Sequence, residues 1–309
     1  MKQQSYQAGI DIGSTTTKIV VIDPDSKEII YSEYRRHNAA QVQSVRQALS
    51  RFADRFPGVS LRLALTGSGA QPVALYLDLP FVQEVVANAI ALKDRYDDVR
   101  TAIELGGQDA KMIFFHKDKK TGNLNVSDMR MNGSCAGGTG AFIDEIAAIL
   151  KTPIEEFNAL AEEGDCVYDI SGRCGVYAKT DIQPLLNQGA NKADIAASIF
   201  QAVVNQTIAG LAQGRKISGK VMFLGGPLSF CRGLRRRFQE TLKLDDESAV
   251  FPDYGPYAVA RGAALYAERA GDEYNLADAI VRVEYARNVR LGERLPRLFS
   301  SEEELLAFR

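Results

Sequence analysis

GIDIGSTTTKIVVIDPDSKEIIYSEY, residues 9–34, sets the architecture of this chain. An apolar run ends at Asp11-Ile12-Gly13, a polar turn follows, and a second apolar run extends from Lys18 to Ile22. Pro24-Asp25 marks a further turn, and Glu28 to Tyr34 makes a third strand. The stretch therefore predicts a three-stranded meander with a small-residue turn between its first two strands.

The same pattern returns in residues 102–131, AIELGGQDAKMIFFHKDKKTGNLNVSDMRM. Glu104 and Lys111 each stand 93 positions after Asp11 and Lys18 (104 − 11 and 111 − 18). Two unrelated hairpins are the plainer alternative, but they do not require a carboxylate, a glycine and a lysine to recur at one offset. We therefore predict an internal duplication.

Helical and strand patterns follow each meander. Helices are predicted at residues 41–55, 141–150 and 193–211, and further strands at residues 61–65 and 217–224. The chain is accordingly predicted to be a duplicated α/β fold, two similar halves with a cleft between them. The expected division is residues 1–100 for the first half, 101–270 for the second and 271–309 for a C-terminal extension.

The extension carries weaker signals. Val281 to Arg290 is strand-like, and Ser301 with Glu304 forms a capping box at the start of a short helix. The sequence stops inside that helix, so we expect the extension to be a linker to further domains.

Composition narrows the class of protein. The 309 residues include 37 Lys+Arg against 39 Asp+Glu, so the net charge is −2, which argues against a general nucleic-acid binder. The first residues lack an apolar run and no stretch reaches 18 apolar residues, so we expect neither a secretory signal nor a membrane span. Four cysteines are too few for a disulfide scaffold. The expected setting is the reducing cytoplasm.

The first turn has the composition of a phosphate-binding loop. Gly13 allows close approach to a ligand, and consecutive backbone N–H groups form an anion-binding nest. Hydroxyls and one amine add donors, from Ser14, Thr15, Thr16 and Lys18. A carboxylate beside phosphates is best used to hold Mg²⁺ through water, which is the expected role of Asp11.

The second turn, Glu104-Leu105-Gly106-Gly107-Gln108-Asp109, offers the same arrangement from the facing half. Glu104 is the counterpart of Asp11 for Mg²⁺ through water, and Gly106 and Gly107 form the second phosphate turn. Gln108 and Asp109 follow the turn and are candidates, with Glu104, for a catalytic role. No G-x-x-x-x-G-K-[ST] motif is present, so a P-loop is not expected. No G-x-G-x-x-G follows a strand, so a dinucleotide Rossmann domain is not expected either.

Together with Gly225-Gly226-Pro227 late in the chain, the two turns resemble those of the actin, sugar kinase and Hsp70 ATPase superfamily. The resemblance extends to about Ala270. It implies that the two turns grip the phosphates of ATP or ADP, and that the late turn lies against the adenosine.

Two of the four cysteines lie in glycine-rich surroundings. Cys135 lies in NGSCAGGTG and Cys174 in SGRCGVYAK, 39 positions apart (174 − 135). Two thiolates per chain cannot complete a four-cysteine cluster, but two chains related by a two-fold axis can. We therefore predict a [4Fe–4S] cluster shared across a homodimer, with Cys166 and Cys231 as ordinary thiols.

These two segments resemble the activators of 2-hydroxyacyl-CoA dehydratases and the ATPase subunits of benzoyl-CoA reductases. The resemblance implies an ATP-dependent one-electron reductase. Its donor would be reduced ferredoxin or flavodoxin, and its acceptor a 2-hydroxyacyl-CoA dehydratase-like protein. Two departures stand out: Glu104 replaces a usual Asp, and the late turn continues as Leu-Ser-Phe-Cys, as in large multidomain members.

Two rival functions remain open at the level of sequence. A sugar or acyl kinase of the same fold needs a carboxylate base, for which Asp109 or Asp181 is the candidate. A nucleotide-switched binding module of the Hsp70 or actin type would leave the cysteines incidental. The run Arg235-Arg236-Arg237 is either a solvated helix face or a surface for an acidic partner.

Overall fold

Two five-stranded sheets form the framework of the protein in a computed structural model, which describes residues 4–122, 124–132, 137–270, 272–286 and 298–308. The strands are β1 (Ser5–Ile12), β2 (Thr16–Ile22), β3 (Ile29–Arg36), β4 (Ser60–Thr66), β5 (Val99–Leu105), β6 (Ala110–Lys117), β7 (Leu124–Met131), β8 (Lys220–Leu224), β9 (Ala249–Val250) and β10 (Glu273–Asn275). Each sheet therefore draws its first three strands from one of the predicted meanders.

The helices fill the connections between strands. They are α1 (Gln41–Arg55), α2 (Gln71–Leu77), α3 (Glu84–Lys93), α4 (Gly140–Ile149), α5 (Ile154–Glu162), α6 (Gly175–Asn187), α7 (Lys192–Thr207), α8 (Gly226–Phe230), α9 (Arg232–Leu242), α10 (Ala258–Ala270), α11 (Leu276–Ala286) and α12 (Glu302–Phe308). A π-helical turn, Ile208–Ala212, continues α7.

The two sheets share the arrangement of four strands and differ in the fifth, because β10 pairs antiparallel with β4 whereas β9 pairs parallel with β8. The strand order is β10-β4-β1-β2-β3 in the first sheet and β7-β6-β5-β8-β9 in the second. In each sheet the meander is antiparallel, and its first strand also pairs in parallel with the strand that follows the helical connection. This correspondence confirms the predicted duplicated α/β fold.

The duplication extends to side-chain register. Asp11 lies directly opposite Lys18 across β1 and β2, and Glu104 lies directly opposite Lys111 across β5 and β6. A direct cross-strand pair places two side chains on the same face of a sheet. The sequence repeat therefore becomes two equivalent carboxylate–lysine pairs, one at the end of each leading strand.

Helix α10 packs on the first sheet, although it lies late in the chain. Its backbone approaches β1 and α3 closely. The approach is so close that a Cβ at Gly9 would collide with Ala260 and a Cβ at Gly262 would collide with Ala87. Glycine at both contact points permits this approach. The late part of the chain is thereby joined to the first half.

Helix α7 and its π-helical continuation, Lys192–Ala212, form the one described segment long and apolar enough to cross a membrane. Its most apolar window is 67% buried inside the protein. Ile195, Ile199, Phe200 and Val203 belong to the core of the second half, which accounts for the hydropathy of this helix.

The strand predicted from Val281 to Arg290 is wrong where the structure describes it. Residues 276–286 form α11, and Leu276 and Val283 pack into the core of the first half against α1 and α2. Spacing of 3 to 4 residues between apolar positions outweighs the strand preference of valine when a helical face has a core to cover. Among the described residues of the C-terminal extension, the one strand is the short β10, which precedes α11 and pairs antiparallel with β4. The predicted helix near Ser301 is α12, and Glu304 N–H in its first turn donates a hydrogen bond to the hydroxyl of Ser301 at 3.2 Å.

Candidate functional site

The first turn, between β1 and β2, is closed by its own backbone. Gly13 N–H donates to the carbonyl of Thr16 at 2.9 Å, which holds the hydroxyl-bearing residues in a compact loop. The turn lies directly against the loop after β4. The contact is so close that a Cβ at Gly67 would collide with the backbone of Ile12. The positive φ of Gly67, 102°, is also one that other residues rarely adopt.

His37 fixes the first turn from the other side. Its backbone N–H donates to the carbonyl of Thr15 at 3.2 Å, and its ring Nε2 lies 3.0 Å from the carbonyl of Gly13. Ala39 N–H donates to Nδ1, so the ring proton is on Nε2 and Nε2–H donates to Gly13. Asn38 and Ala39 follow at φ 47° and 63°, a sharp left-handed bend that keeps His37 under the turn.

The second turn, between β5 and β6, is closed in the same way, with Gly106 N–H donating to Asp109 at 2.8 Å. Its carbonyls have further partners. Gly140 N–H donates to Gly106 at 3.0 Å and Ala141 N–H donates to Gly107 at 2.7 Å. These two donors are the first N–H groups of α4, so the second turn and the start of α4 form one hydrogen-bonded unit.

The two turns face each other closely. A Cβ at Gly107 would collide with the side chain of Thr15, so glycine is required for the turns to meet. Between them lies a small cavity of about 30 Å³, called here the polar cavity. It is lined by Asp11, Gly13, Ser14, Thr15, Thr16, Lys18, Ser68, Glu84, Glu104, Gly106, Gly107, Asp109 and Lys111.

Lys18 is held by the carboxylate opposite it. Its Nζ lies 2.7 Å from Oδ2 of Asp11, whose side chain is 4% exposed. Burial, the largest single effect, would lower the pKa of Lys18, but the charges of Asp11, Tyr34 and Glu104 and the hydrogen bond to Asp11 together outweigh it, and the pKa is raised. Lys18 therefore stays protonated and neutralises one carboxylate of the polar cavity.

Lys111 contacts three carboxylates. Its Nζ lies 2.7 Å from Asp109 and 3.8 Å from Glu104, and it also forms an ion pair with Glu84. Burial opposes the charge of Lys111, yet these three carboxylates outweigh it and raise the pKa of the amine. Asn88 completes the network by donating to Oε2 of Glu104 at 2.7 Å.

Four carboxylates and two lysines, when all are ionised, leave the polar cavity with a net charge of −2. Such an imbalance next to phosphate turns suits a divalent cation together with phosphate. Among the residues described, no three His, Cys, Asp or Glu side chains are arranged to coordinate one metal ion directly. The donor set therefore fits Mg²⁺ held through water rather than by a protein cage.

A larger cavity of about 330 Å³ opens beside the polar cavity and shares Thr15, Thr16 and Gly107 with it. Its remaining lining residues are Tyr34, Arg36, Gly140, Ile143, Asp144, Ile154, Glu155, Phe157, Asn158, Gly226, Pro227, Phe230 and Cys231. Aromatic and aliphatic walls with a few polar groups are suited to a flat heteroaromatic ring.

The late glycine turn forms one wall of the larger cavity. Gly225 has φ 91°, and a Cβ there would collide with the carbonyl of Leu105. A Cβ at Gly226 would meet the hydroxyl of Tyr34, so the late turn from the second half touches β3 of the first. Tyr34 in turn packs edge-on against Phe230, with ring centroids 5.5 Å apart.

The structure brings together most of the residues that the sequence singled out. Those of the first turn, with Glu104, Gly106, Gly107 and Asp109, line the polar cavity, and Gly226 and Pro227 line the larger one. Gln108 is exposed and lines neither cavity. Asp181 accepts a hydrogen bond from Ser171 N–H at 2.9 Å and likewise lines neither.

Sequence reasoning missed several residues of the cleft. Glu84, Tyr34, Arg36 and Asp144 all line it, but each comes from a helix or strand with no local motif. Glu84, Tyr34 and Arg36 lie near the end of a helix or strand, and Asp144 lies in the middle of α4, so position in the fold and not a motif brings them to the cleft.

Cys174 occupies the position directly before α6, without a side-chain hydrogen bond to the helix, and Gly175 is the first helical residue. The loop before it packs against Gly137, where a Cβ would collide with the carbonyls of Gly172 and Arg173. Gly137 follows Cys135 by two positions in the sequence, and Cys135 itself lies outside the described residues. Of the other two cysteines, Cys166 is exposed and Cys231 is partly buried.

Paired glycine turns on a duplicated α/β fold, with a cavity beside a late glycine turn, define an ATPase of the actin-like class. The chain belongs to the BadF/BadG/BcrA/BcrD ATPase family, whose profile matches residues 8–267. It is 30% identical over 265 residues to the (R)-2-hydroxyglutaryl-CoA dehydratase activating ATPase of Acidaminococcus fermentans, covering 85% of this chain and 96% of that protein. It is 28% identical over 279 residues to the activator of lactoyl-CoA dehydratase of Anaerotignum propionicum, covering 87% and 99%.

Solved structures agree on the fold. Component A of the (R)-2-hydroxyglutaryl-CoA dehydratase of Acidaminococcus fermentans superposes with a TM-score of 0.72 at 26% identity, covering 89% of this chain and 98% of that one. The 2-hydroxyisocaproyl-CoA dehydratase activator of Clostridium difficile, with bound ADPNP, gives 0.71 at 23% identity, covering 94% and 100%. These structures confirm the actin-like fold predicted from the sequence, and membership of the ATPase family confirms the predicted ATPase activity.

Proposed function

We propose that this ATPase is an activator that passes one low-potential electron from a dimer-bridging [4Fe–4S] cluster to a 2-hydroxyacyl-CoA dehydratase-like protein. Reduced ferredoxin or flavodoxin would supply the electron. The observation that carries the proposal is the convergence of three elements: the second phosphate turn, the start of α4 and the loop that ends at Cys174. All three meet through Gly106, Gly107, Gly137 and Gly140.

Within this proposal, ATP occupies the cleft between the halves. Its phosphates lie between the two turns, where Ser14, Thr15 and the backbone N–H groups donate to them. Its adenosine occupies the larger cavity against Gly226 and Pro227. Mg²⁺ is held through water by Asp11 and Glu104, and when bound it neutralises phosphate charge.

Cys135 and Cys174 from each of two chains would hold the cluster. Helix α6 begins directly after Cys174, so the positive end of its dipole faces the thiolate and favours the reduced cluster. Val176 and Tyr177, which follow Cys174, are 69% and 65% exposed. Exposed apolar side chains beside a ligand that needs a second chain support a contact between two copies there.

The kinase alternative finds less support in the cleft. A sugar kinase needs a carboxylate free to take a proton from a substrate hydroxyl. Asp109 is paired with Lys111 at 2.7 Å, and Asp181 is bonded to Ser171 away from both cavities.

Anaerobic purification tests the proposal. We expect a brown protein that absorbs near 400 nm, with about four irons and four sulfides per two chains. Reduced protein should pass electrons to a dehydratase-like acceptor only while ATP is hydrolysed. An iron-free protein with full ATPase activity, or electron transfer that ignores ATP, would contradict the proposal.

A further inference from the structure

Glu84 is the residue of the polar cavity that the phosphate turns do not explain. It begins α3, which belongs to neither turn, and its side chain enters the cavity between them. That side chain is 19% exposed, so it is largely removed from water while still facing the cavity. A carboxylate in such a position beside transferable phosphate has either a structural or a chemical role.

The other carboxylates of the cavity are already engaged. Asp11 lies 2.7 Å from Lys18, its direct cross-strand partner. Glu104 accepts a hydrogen bond from Asn88 at 2.7 Å, and its side chain is 8% exposed. Both side chains are fixed at the ends of the leading strands, which suits the holding of a hydrated cation.

The two residues after the second turn are poorly placed to activate water. Gln108 is exposed and does not line the cavity. The carboxylate of Asp109 is paired with Lys111 through Oδ2, and its Oδ1 folds back beneath Gly106, where a Cβ would collide with it. Gln108 therefore does not reach the cavity, and the carboxylate of Asp109, although it lines the cavity, has one oxygen on Lys111 and the other beneath Gly106.

The contacts that hold the carboxylate of Glu84 differ from those of the other carboxylates in the polar cavity. Lys111 is its one ion-pair partner among the described residues and contacts Oε2, which leaves Oε1 for a water molecule in the cavity. Burial raises the pKa of Glu84, and the charges of Asp11 and Glu104 add to the effect against the opposing charge of Lys111. A carboxylate that holds a proton more tightly than usual is a more effective base once ionised.

We propose that Glu84 is a catalytic residue of ATP hydrolysis, holding the attacking water and accepting its proton. The water oxygen forms a bond to the γ-phosphorus, and the bond from that phosphorus to the β–γ bridging oxygen breaks. ADP leaves with the electron pair. The proton passes from water to the Glu84 carboxylate and then to solvent, and the products are ADP and phosphate. The inference rests on the ATP site proposed above.

Glu84→Gln in the full chain tests this role, because glutamine keeps the size of the side chain and its contact with the cavity but cannot take the proton. We expect kcat for ATP hydrolysis to fall by about 100-fold or more. The Kd for ADP, measured by calorimetry, should stay within about threefold of the wild-type value. Glu268→Gln is the matched control, since Glu268 pairs with Lys27 at 2.9 Å on the surface. It should leave both values unchanged.

Glu84→Asp guards against a folding defect, since it keeps the charge opposite Lys111 but withdraws the carboxylate by one methylene. It should also lose most of kcat while binding ADP normally. Wild-type kcat in Glu84→Gln, or an equal loss of ADP binding and kcat in both variants, would overturn the role of Glu84. A wild-type chain that does not bind ATP at all would instead remove the site on which the inference rests.

Discussion

Arg36 and Asp144 form an ion pair across the mouth of the cleft, with 2.8 Å between Nη2 and Oδ2. Arg36 ends β3 in the first half, and Asp144 lies in the first turns of α4 in the second. Both side chains line the larger cavity, so the nucleotide proposed to bind there would lie beside the pair. Their side chains are 57% and 35% exposed, and exposed pairs contribute only about 0–1 kcal/mol to stability. The pair is therefore better placed to affect nucleotide binding than folding.

Arg36→Gln should raise the KM for ATP by roughly threefold to tenfold, an effect of about 1 kcal/mol, with little change in the melting temperature. Arg35→Gln is the matched control, because Arg35 contacts Glu33 rather than the cavity. The charge swap Arg36→Asp with Asp144→Arg should recover part of the lost affinity. Equal KM values for Arg36→Gln and Arg35→Gln would show that the pair does not sense the nucleotide.

Asp11→Asn should remove most ATP hydrolysis. It should also destabilise the protein by roughly 3 kcal/mol, because it leaves the charge of Lys18 without its partner. Steady-state hydrolysis and urea unfolding separate the two effects. Adding Lys18→Met to Asp11→Asn removes the unpaired charge, so stability should recover while hydrolysis stays low. Recovery of hydrolysis in the double variant would show that Asp11 serves only to neutralise Lys18.

The sequence predicted what is local and missed what depends on packing. The meanders, the glycine turns and the Asp11–Lys18 repeat were read correctly, because strand alternation and turn chemistry act over a few residues. Glu84 and Arg36 reach the cleft only because their elements pack beside the turns, and neither carries a motif. Gln108 was proposed from its place after a turn, but Asp109 folds under that turn and leaves Gln108 in solvent.

The four cysteines divide into two groups by their surroundings. Cys135→Ser and Cys174→Ser should each lose the iron, because either change leaves a two-chain site two thiolates short. Cys166→Ser and Cys231→Ser should keep it, and these two variants serve as controls for the loss of a thiol. Iron and sulfide content per chain after anaerobic purification is the measurement. Full iron loading in a double Cys135/Cys174 variant would contradict the proposal that these two cysteines hold a bridging cluster.

Cys231 offers a test of the larger cavity that does not depend on a cluster. Burial raises the pKa of its thiol to about 11, with the charge of Arg235 opposing the shift only in part. Because the thiolate is the reactive form, alkylation by iodoacetamide should be slow at pH 7. The rate of alkylation should rise about tenfold per pH unit up to pH 9, because the thiolate fraction rises by that factor below the pKa. ADP should slow it further, since Cys231 lines the cavity. Exposed Cys166 is the internal control, and equal labelling of both thiols with and without ADP would contradict the assignment.

A short covalent and hydrogen-bonded path joins the second turn to the loop that ends at Cys174. Gly106 and Gly107 of the second turn accept the first two N–H groups of α4 at 3.0 and 2.7 Å. Gly137, a few residues before α4, packs against the loop that ends at Cys174. Glu145 of α4 also reaches Gly175 at the start of α6, where a Cβ would collide with its carboxylate. Any shift of the second turn must therefore move the donors and charges around Cys174.

The midpoint potential of the cluster should depend on the nucleotide for this reason. A small movement of a helix N-terminus or a carboxylate relative to the cluster changes the free energy of adding one electron by roughly 0.5–1 kcal/mol. That energy corresponds to about 20–40 mV for a one-electron step. Redox titration of the ADP-bound and ATP-analogue-bound proteins measures the difference.

Glu145→Gln should raise the potential in both states, because it removes a negative charge from the start of α6. Glu163→Gln, at the exposed end of α5, should leave the potential unchanged and is the control. Identical potentials and identical chelator access to iron in the two nucleotide states would mean that cleft and cluster act independently.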